Sequence, residues 1–212
     1  MKGVEIVMGQ IFFTSDLHFG HVNCMSYDGR LFKTIEEHDE ELIRRWNDKV
    51  GIDDEVWVLG DFSWYNATKT IEIFNQLNGI KHLCIGNHDK KLLKNKFVRD
   101  LFVEIVDYKE IQLDDKIGIV LSHYPIPCYN HHYYGWYHLY GHVHNTFEWH
   151  MMERIKYEMV ELYDKECRMY NVGCMLPYMN FAPQTLEEIM EGYNKYKAIY
   201  GSEKYDISEE RS

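Results

Sequence analysis

Histidines, aspartates and one asparagine recur behind short apolar runs of this chain. Asp16 and His18 lie in FFTSDLHFGH, Asp61 in VLGD, Asn87, His88 and Asp89 in CIGNHD, His123 in VLSH, and His142 and His144 in YGHVH. Burying carboxylates beside imidazoles costs free energy unless something pairs with them, and a metal ion is one such partner. Imidazole, carboxylate and amide donors without a thiolate suit Mn, Fe, Zn, Co or Ni better than they suit a Cys-rich structural zinc. Asp16, His18, Asp61, Asn87, His123, His142 and His144 are too many for one tetrahedral site and enough for two ions sharing a carboxylate. Taken singly, Asp61 or Asn87 reads better as a turn or cap residue. Their joint recurrence at strand ends favours a common site.

The elements that must position these residues follow from periodicity. QIFFTS, EVWVLGD and KHLCIGNHD read as buried strands that end in a serine or glycine. Residues at i and i+2 of an extended segment share a face, which would aim Asp16 with His18, and His142 with His144, at one ion. Residues 34–50 read as a helix, with a Thr34/Glu37 capping box and an apolar stripe of Ile35, Leu42, Ile43, Trp46 and Val50. Residues 68–78 read as a second helix. EIQLDDKIGIVLSHYP reads as a hairpin, 126–139 as an aromatic loop, and 147–165 as helix-rich or irregular. CRMYNVG is a late strand, and TLEEIMEGYNKYKAIY a final helix capped by Thr185 and Glu188. Helices alternating with strands early and hairpins late imply an α/β fold. Binding sites in open α/β sheets form where strand carboxyl ends converge.

The 212 residues fit one domain, residues 1–200, followed by a polar tail at 201–212; Met8 is an alternative start. The net charge of −11 disfavours broad nucleic-acid binding, yet leaves room for a phosphorylated substrate whose charge a metal would meet. The five cysteines are odd in number and form no C-x-x-C pair, the usage of a reducing compartment. With no membrane-length apolar run and no signal-like h-region, a cytoplasmic protein is expected.

In this order, D-x-H, G-D, G-N-H-D, S-H and G-H-x-H resemble the calcineurin-like metallophosphoesterase superfamily, across Asp16 to His144. The NVG at 171–173 resembles the end of its small bacterial and phage members. The resemblance implies a four-layer α/β/β/α sandwich of two mixed sheets around two divalent ions, manganese favoured. One ion would take Asp16, His18 and His144, the other Asn87, His123 and His142, with Asp61 bridging. His88 matches the family's catalytic histidine, which would stabilise developing charge or protonate the leaving oxygen. A hydroxide bridging the ions would attack phosphorus in line.

One departure matters. Ser/Thr protein phosphatases continue G-D into a pattern with a further Asp-Arg-Gly, whereas Trp64, Tyr65 and Asn66 stand here. The expected substrate is a small-molecule phosphodiester or phosphorylated metabolite. The alternatives are a phosphomonoesterase, a nuclease, or a metal-binding interaction module without catalysis. His21, Asn23, Trp136 and His138 are candidates for the substrate pocket, and the aromatic loop with His131, His132, Tyr133 and Tyr134 is either stacking surface or packing. Asp89 reads as a turn-fixing residue. His38 with its charged neighbours, and the lysines of DKKLLKNK, read as solvated helix faces; a local basic groove around Arg99, Arg154 or those lysines is the alternative, and salt-sensitive binding to single-stranded DNA or RNA would revive the nuclease reading.

Overall fold

The computed structural model describes residues 9–200, so Met8 and the tail at 201–212 lie outside the described residues. In chain order the elements are β1 (Ile11–Thr14), α1 (Cys24–Tyr27), α2 (Ile35–Lys49), β2 (Glu55–Val58), α3 (Ala67–Phe74), β3 (Ile80–Cys84), α4 (Asp89–Leu92) and α5 (Lys96–Arg99). Then follow β4 (Ile105–Val106), β5 (Tyr108–Gln112), β6 (Gly118–Ser122), β7 (Tyr137–Tyr140), α6 (Phe147–Tyr163), β8 (Met169–Asn171) and α7 (Leu186–Tyr200). They build an α/β fold with two four-stranded sheets, ordered β1-β2-β3-β4 and β5-β6-β7-β8.

The first sheet is entirely parallel, not mixed. Parallel neighbours need crossovers, which the helices between β1 and β4 supply, and strands covered on both faces read as unbroken apolar runs. In the second sheet only β5 and β6 form the expected hairpin; β6, β7 and β8 run parallel. β7 occupies the end of the segment expected to be a loop. Its aromatic YHLY takes strand conformation because Ile119–Leu121 on one side and Met169–Asn171 on the other pair with it, a tertiary effect no local pattern reports. The stretch after Thr146 is one helix of 17 residues.

Helix α2 shows how sequence sets packing. Thr34 Oγ1 accepts the Glu37 amide, and the Glu37 carboxylate reaches back to the Lys33 amide, one residue before the cap. Its buried residues are His38, Asp39, Leu42 and Trp46, and the cap residue Val50 is buried too. His38, Leu42, Trp46 and Val50 repeat every fourth position on one face. Burying a side chain such as Leu42 is worth about 1.5–3 kcal/mol. His38 and Asp39 are therefore part of the interior, correcting the solvated face expected of them. Thr185 and Glu188 exchange hydrogen bonds as the cap of α7.

A parallel bridge joins Ser15 to Gly173, and Phe13 bridges to Gln184, so the residues after β8 lie along β1. His123 Nδ1 meets the Leu59 carbonyl at 2.7 Å, linking the residue after β6 to the one after β2.

Candidate metal centre

Every candidate ligand follows the carboxyl end of a strand: Asp16 and His18 after β1, Asp61 after β2, Asn87 after β3, His123 after β6, and His142 and His144 after β7. Their side chains are not aimed by an extended backbone, as the i, i+2 argument expected. Asp16, His18, Asp61, His142 and His144 all have φ between 46° and 68°, in the left-handed region that non-glycine residues rarely adopt. The ladder nevertheless continues past the strands, with Asp16 N–H donating to Gly60 O and His18 N–H to Asp61 O, both at 3.0 Å. Backbone strain concentrated on ligand-type residues is maintained only where the surroundings over-determine it.

The donor atoms converge. His18 Nε2 lies 3.2 Å from His144 Nε2, and Asp16 Oδ1 lies 3.5 Å from His144 Nε2 and 4.0 Å from His18 Nε2. Asp61 Oδ2 is 3.7 Å from His18 Nε2 and 3.7 Å from His123 Nε2. Asn87 Oδ1 is 2.9 Å from His123 Nε2 and 3.0 Å from His142 Nδ1. Donors bound about 2.1 Å from one ion stand roughly 3–3.5 Å apart when adjacent and up to about 4.2 Å when opposite, a range that spans these separations. Buried Asp16, His18 and His144 form one group able to hold an ion; Asp16, Asp61 and His123 form another. A Cβ on Gly86 would collide with the Asp61 carboxylate, and one on Gly141 with Ser15 and Asp16. These glycines clear space for the carboxylates.

No protein-family model matches the chain. An uncharacterized protein of Methanocaldococcus jannaschii is 29% identical over 194 residues, covering 91% of this chain and 96% of that protein. The gene 66 protein of Mycobacterium phage L5 is 41% identical over 85 residues, 39% of this chain and 41% of that one. A solved protein of unknown function from Aquifex aeolicus superposes with a TM-score of 0.63 at 25% identity, over 86% of this chain and 98% of its own. A nuclease from Pseudomonas putida gives a TM-score of 0.40 at 22% identity, over 63% of this chain and 60% of its own, a likeness too distant to carry an argument. The chain is similar along most of its length to proteins whose names state no activity.

Electrostatics favour a cation at the cluster. Burial, followed by the neighbouring Asp16 carboxylate, pushes the Asp61 carboxyl up to about 7. Burial holds His18 well below the ordinary imidazole value and lowers His88 and His142, leaving neutral rings with lone pairs to donate. At His144 burial also acts downward, but Asp16 and the hydrogen bond to Asp28 outweigh it and raise its pKa. A divalent ion would displace that proton and relieve the paired carboxylates.

Sequence reasoning missed what lies behind these donors. Asp28 Oδ1 meets His144 Nδ1 at 2.7 Å, and Asp28 Oδ2 accepts Arg30 Nη2 at 2.8 Å. Arg30, itself buried, donates to the carbonyls of Asp16 at 2.8 Å and Leu17 at 3.0 Å, fixing the left-handed turn that presents Asp16. Its Nη1 lies 2.9 Å from His38 Nε2, and His38 Nδ1 lies 2.8 Å from Asp39 Oδ1. The place of His38 four residues before Leu42 was the available signal; YDGR reads only as a turn. Losing a carboxylate behind a metal-binding histidine typically weakens metal affinity by about 10- to 100-fold. Asp28→Asn is expected to do so, measured by manganese titration, and an unchanged affinity would remove Asp28 from this role.

Asp89 is a turn-fixing residue, as expected. Its carboxylate accepts the amides of Asp61 and Gly86 at 2.8 Å and of Phe62 at 2.9 Å, tying the loop after β2 to that after β3. Asp89→Ala would leave these three buried donors unpaired. A loss of roughly 3 kcal/mol or more in denaturant unfolding is expected.

His21 stacks on Trp64 with centroids 3.9 Å apart and 7° between planes, 5.2 Å from the His18 ring, so it borders the cluster. Asn23 is exposed and precedes α1, its side chain making no capping bond. Trp136 and His138 belong to the core instead of the proposed pocket. His138 is buried in β7, with its nitrogens against Val120 O and the Ile126 amide, and Trp136 donates to Lys116 O. Tyr133 and Tyr134 are exposed, and His131 tilts against Trp136.

Proposed function

We propose that the chain is a metal-dependent phosphoesterase of the calcineurin-like metallophosphoesterase type. It would hold two divalent ions, manganese favoured, and hydrolyse a phosphodiester or a small phosphorylated metabolite. The observation that carries this reading is Asp61, whose Oδ2 is equidistant, at 3.7 Å, from His18 and His123 in the two donor groups. In this reading the sheets are the inner layers of a four-layer α/β/β/α sandwich, and residues 1–200 are one domain. The five cysteines are free, which supports a reducing, cytoplasmic setting. No helix among the described residues is long and apolar enough to cross a membrane.

Asp16, His18 and His144 would hold one ion, Asn87, His123 and His142 the other, and Asp61 both. Ions bound there supply Lewis-acid charge to phosphate oxygens and lower the pKa of a water toward neutrality. The chain's own residues do the rest. Asp28 and Arg30 orient His144 and the Asp16 turn. His88 Nε2 stands 3.9 Å from Asp61 Oδ2 with its side chain 40% exposed, which supports a role in meeting substrate. Its neutral ring donates a hydrogen bond to a phosphoryl oxygen, and arriving negative charge favours the protonated form that can pass a proton to the leaving oxygen. Trp64 packs 4.3 Å from His88, and Asn66 caps α3 by accepting the Lys69 amide, so neither supplies a phosphate-clamping cation. A diester, carrying less charge than a monoester, needs fewer such clamps.

Hydrolysis of bis-p-nitrophenyl phosphate and p-nitrophenyl phosphate, after chelation and after manganese is restored, tests the proposal. Metal-restored cleavage of the diester supports it. Preference for the monoester makes the protein a phosphatase, and bound metal without turnover favours the interaction module. His88→Ala should retain both ions and lose about 10²- to 10⁴-fold in kcat. Full activity in that variant would exclude His88 from the chemistry.

A further inference from the structure

A cleft of about 740 Å³ opens beside the candidate centre, and its lining includes Asn87 and His88 together with Trp64, Lys90, Lys91 and Lys94. That volume is in the range of small-molecule sites and exceeds the needs of a bare phosphate. No carboxylate lines it. Lys49, Lys69, Lys109, Lys156, Lys195 and Lys197 each pair with a glutamate. Lys90, Lys91 and Lys94 make no ion pair among the described residues, nor do Lys33, Lys81, Lys96, Lys116 and Lys165, but these three share one cleft wall. In a chain of net charge −11, three unpaired ammonium groups on one cleft wall form a local reversal of sign. The cleft also offers an aromatic surface, since Trp64 is 45% exposed while stacked on His21.

We propose that this cleft is a nucleotidyl subsite, in which Lys90, Lys91 and Lys94 take a phosphate beyond the scissile one and Trp64 stacks the attached base. The proposal rests on the phosphoesterase reading and specifies its substrate class. Lysines act as mobile point charges toward phosphate, and stacking on an indole tolerates any base because every base has a π-face. The expected ligand is a phosphate-linked nucleoside, either a free nucleotide or an unpaired strand.

The test uses the manganese-loaded protein and a labelled, phosphorothioate-linked hexathymidylate, read by fluorescence anisotropy across a salt series. The three lysines together neutralise one phosphate, so they should contribute about −0.7 to the slope of log K against log salt. The triple variant Lys90→Ala, Lys91→Ala, Lys94→Ala alters exposed side chains, so it should fold normally. It is expected to bind at least about tenfold more weakly with a flatter salt slope, while kcat/KM on bis-p-nitrophenyl phosphate stays within about twofold. Displacement by thymidine diphosphate as readily as by unlabelled strand would identify a nucleotide as the source, and displacement by strand alone a single-stranded nucleic acid. Unchanged affinity in the triple variant overturns the proposal, as does displacement by thymidine as effective as by thymidine diphosphate. Lysine-dependent binding without hydrolysis of any ester would overturn the hydrolytic reading and uphold the subsite.

Discussion

Asp61→Asn is expected to lower manganese-dependent hydrolysis of bis-p-nitrophenyl phosphate by about a thousandfold or more, and to release at least one ion. The asparagine carbonyl can still accept the His88 amide, which Asp61 Oδ1 does at 2.9 Å, so the turn before α4 is preserved. What disappears is the negative charge standing 3.7 Å from both His18 and His123. Removing it also relieves the repulsion from Asp16, so the metal-free variant should be at least as stable as the parent at pH 8. Loss of activity with loss of fold would show a structural role instead. Retained activity with two ions bound would remove Asp61 from the bridge.

The second effect concerns the metal-free protein, which should lose stability relative to Asp61→Asn as pH rises from 6.5 to 8. Asp61 is raised in the folded state from 3.8 to about 7, so between these values the folded chain binds more protons than the unfolded one. Stability from this group is complete below the unfolded value and is lost as pH passes the folded one. His18, His88 and His142, lowered by burial, work the other way; their unfolded imidazoles are still half protonated at about pH 6.5, so together they gain about 1 kcal/mol between pH 6.5 and 8 and offset the loss at Asp61. His144, raised, loses stability with rising pH as Asp61 does. From pH 6.5 to 8 the loss at Asp61 alone amounts to about 0.8 kcal/mol. Manganese at a hundredfold its Kd should add about 2.7 kcal/mol, raising Tm by roughly 5–10 °C. Urea unfolding at both pH values, with and without metal, reads this directly. Measured against Asp61→Asn in the same series, a metal-free parent that loses no stability relative to the variant over that range would contradict the raised carboxyl.

Much of this was legible because the donors follow apolar runs whose ends mark strand termini, and short motifs survive translation into three dimensions. Asp16, His18, Asp61, Asn87, His123, His142 and His144 converge as their order implied. The reason given for their aim was incomplete: left-handed backbone at five of these residues, not extended geometry, turns them inward, and φ is invisible in a sequence. Asp28 and Arg30 were illegible because their partners lie in other segments. Trp136 and His138 misled because an aromatic, histidine-rich stretch resembles a binding loop until β6 and β8 enclose it. The lysines after His88 are exposed, as a solvated face would be, and only the tertiary fold shows that they wall a cleft.

The most direct test of the central claim is anomalous diffraction at the manganese edge from crystals grown with Mn²⁺. Two peaks are expected on either side of the Asp61 carboxylate, one against His18 and His144, the other against His123, His142 and Asn87. No peak at these residues, or a single peak that leaves Asp61 uncoordinated, would contradict it.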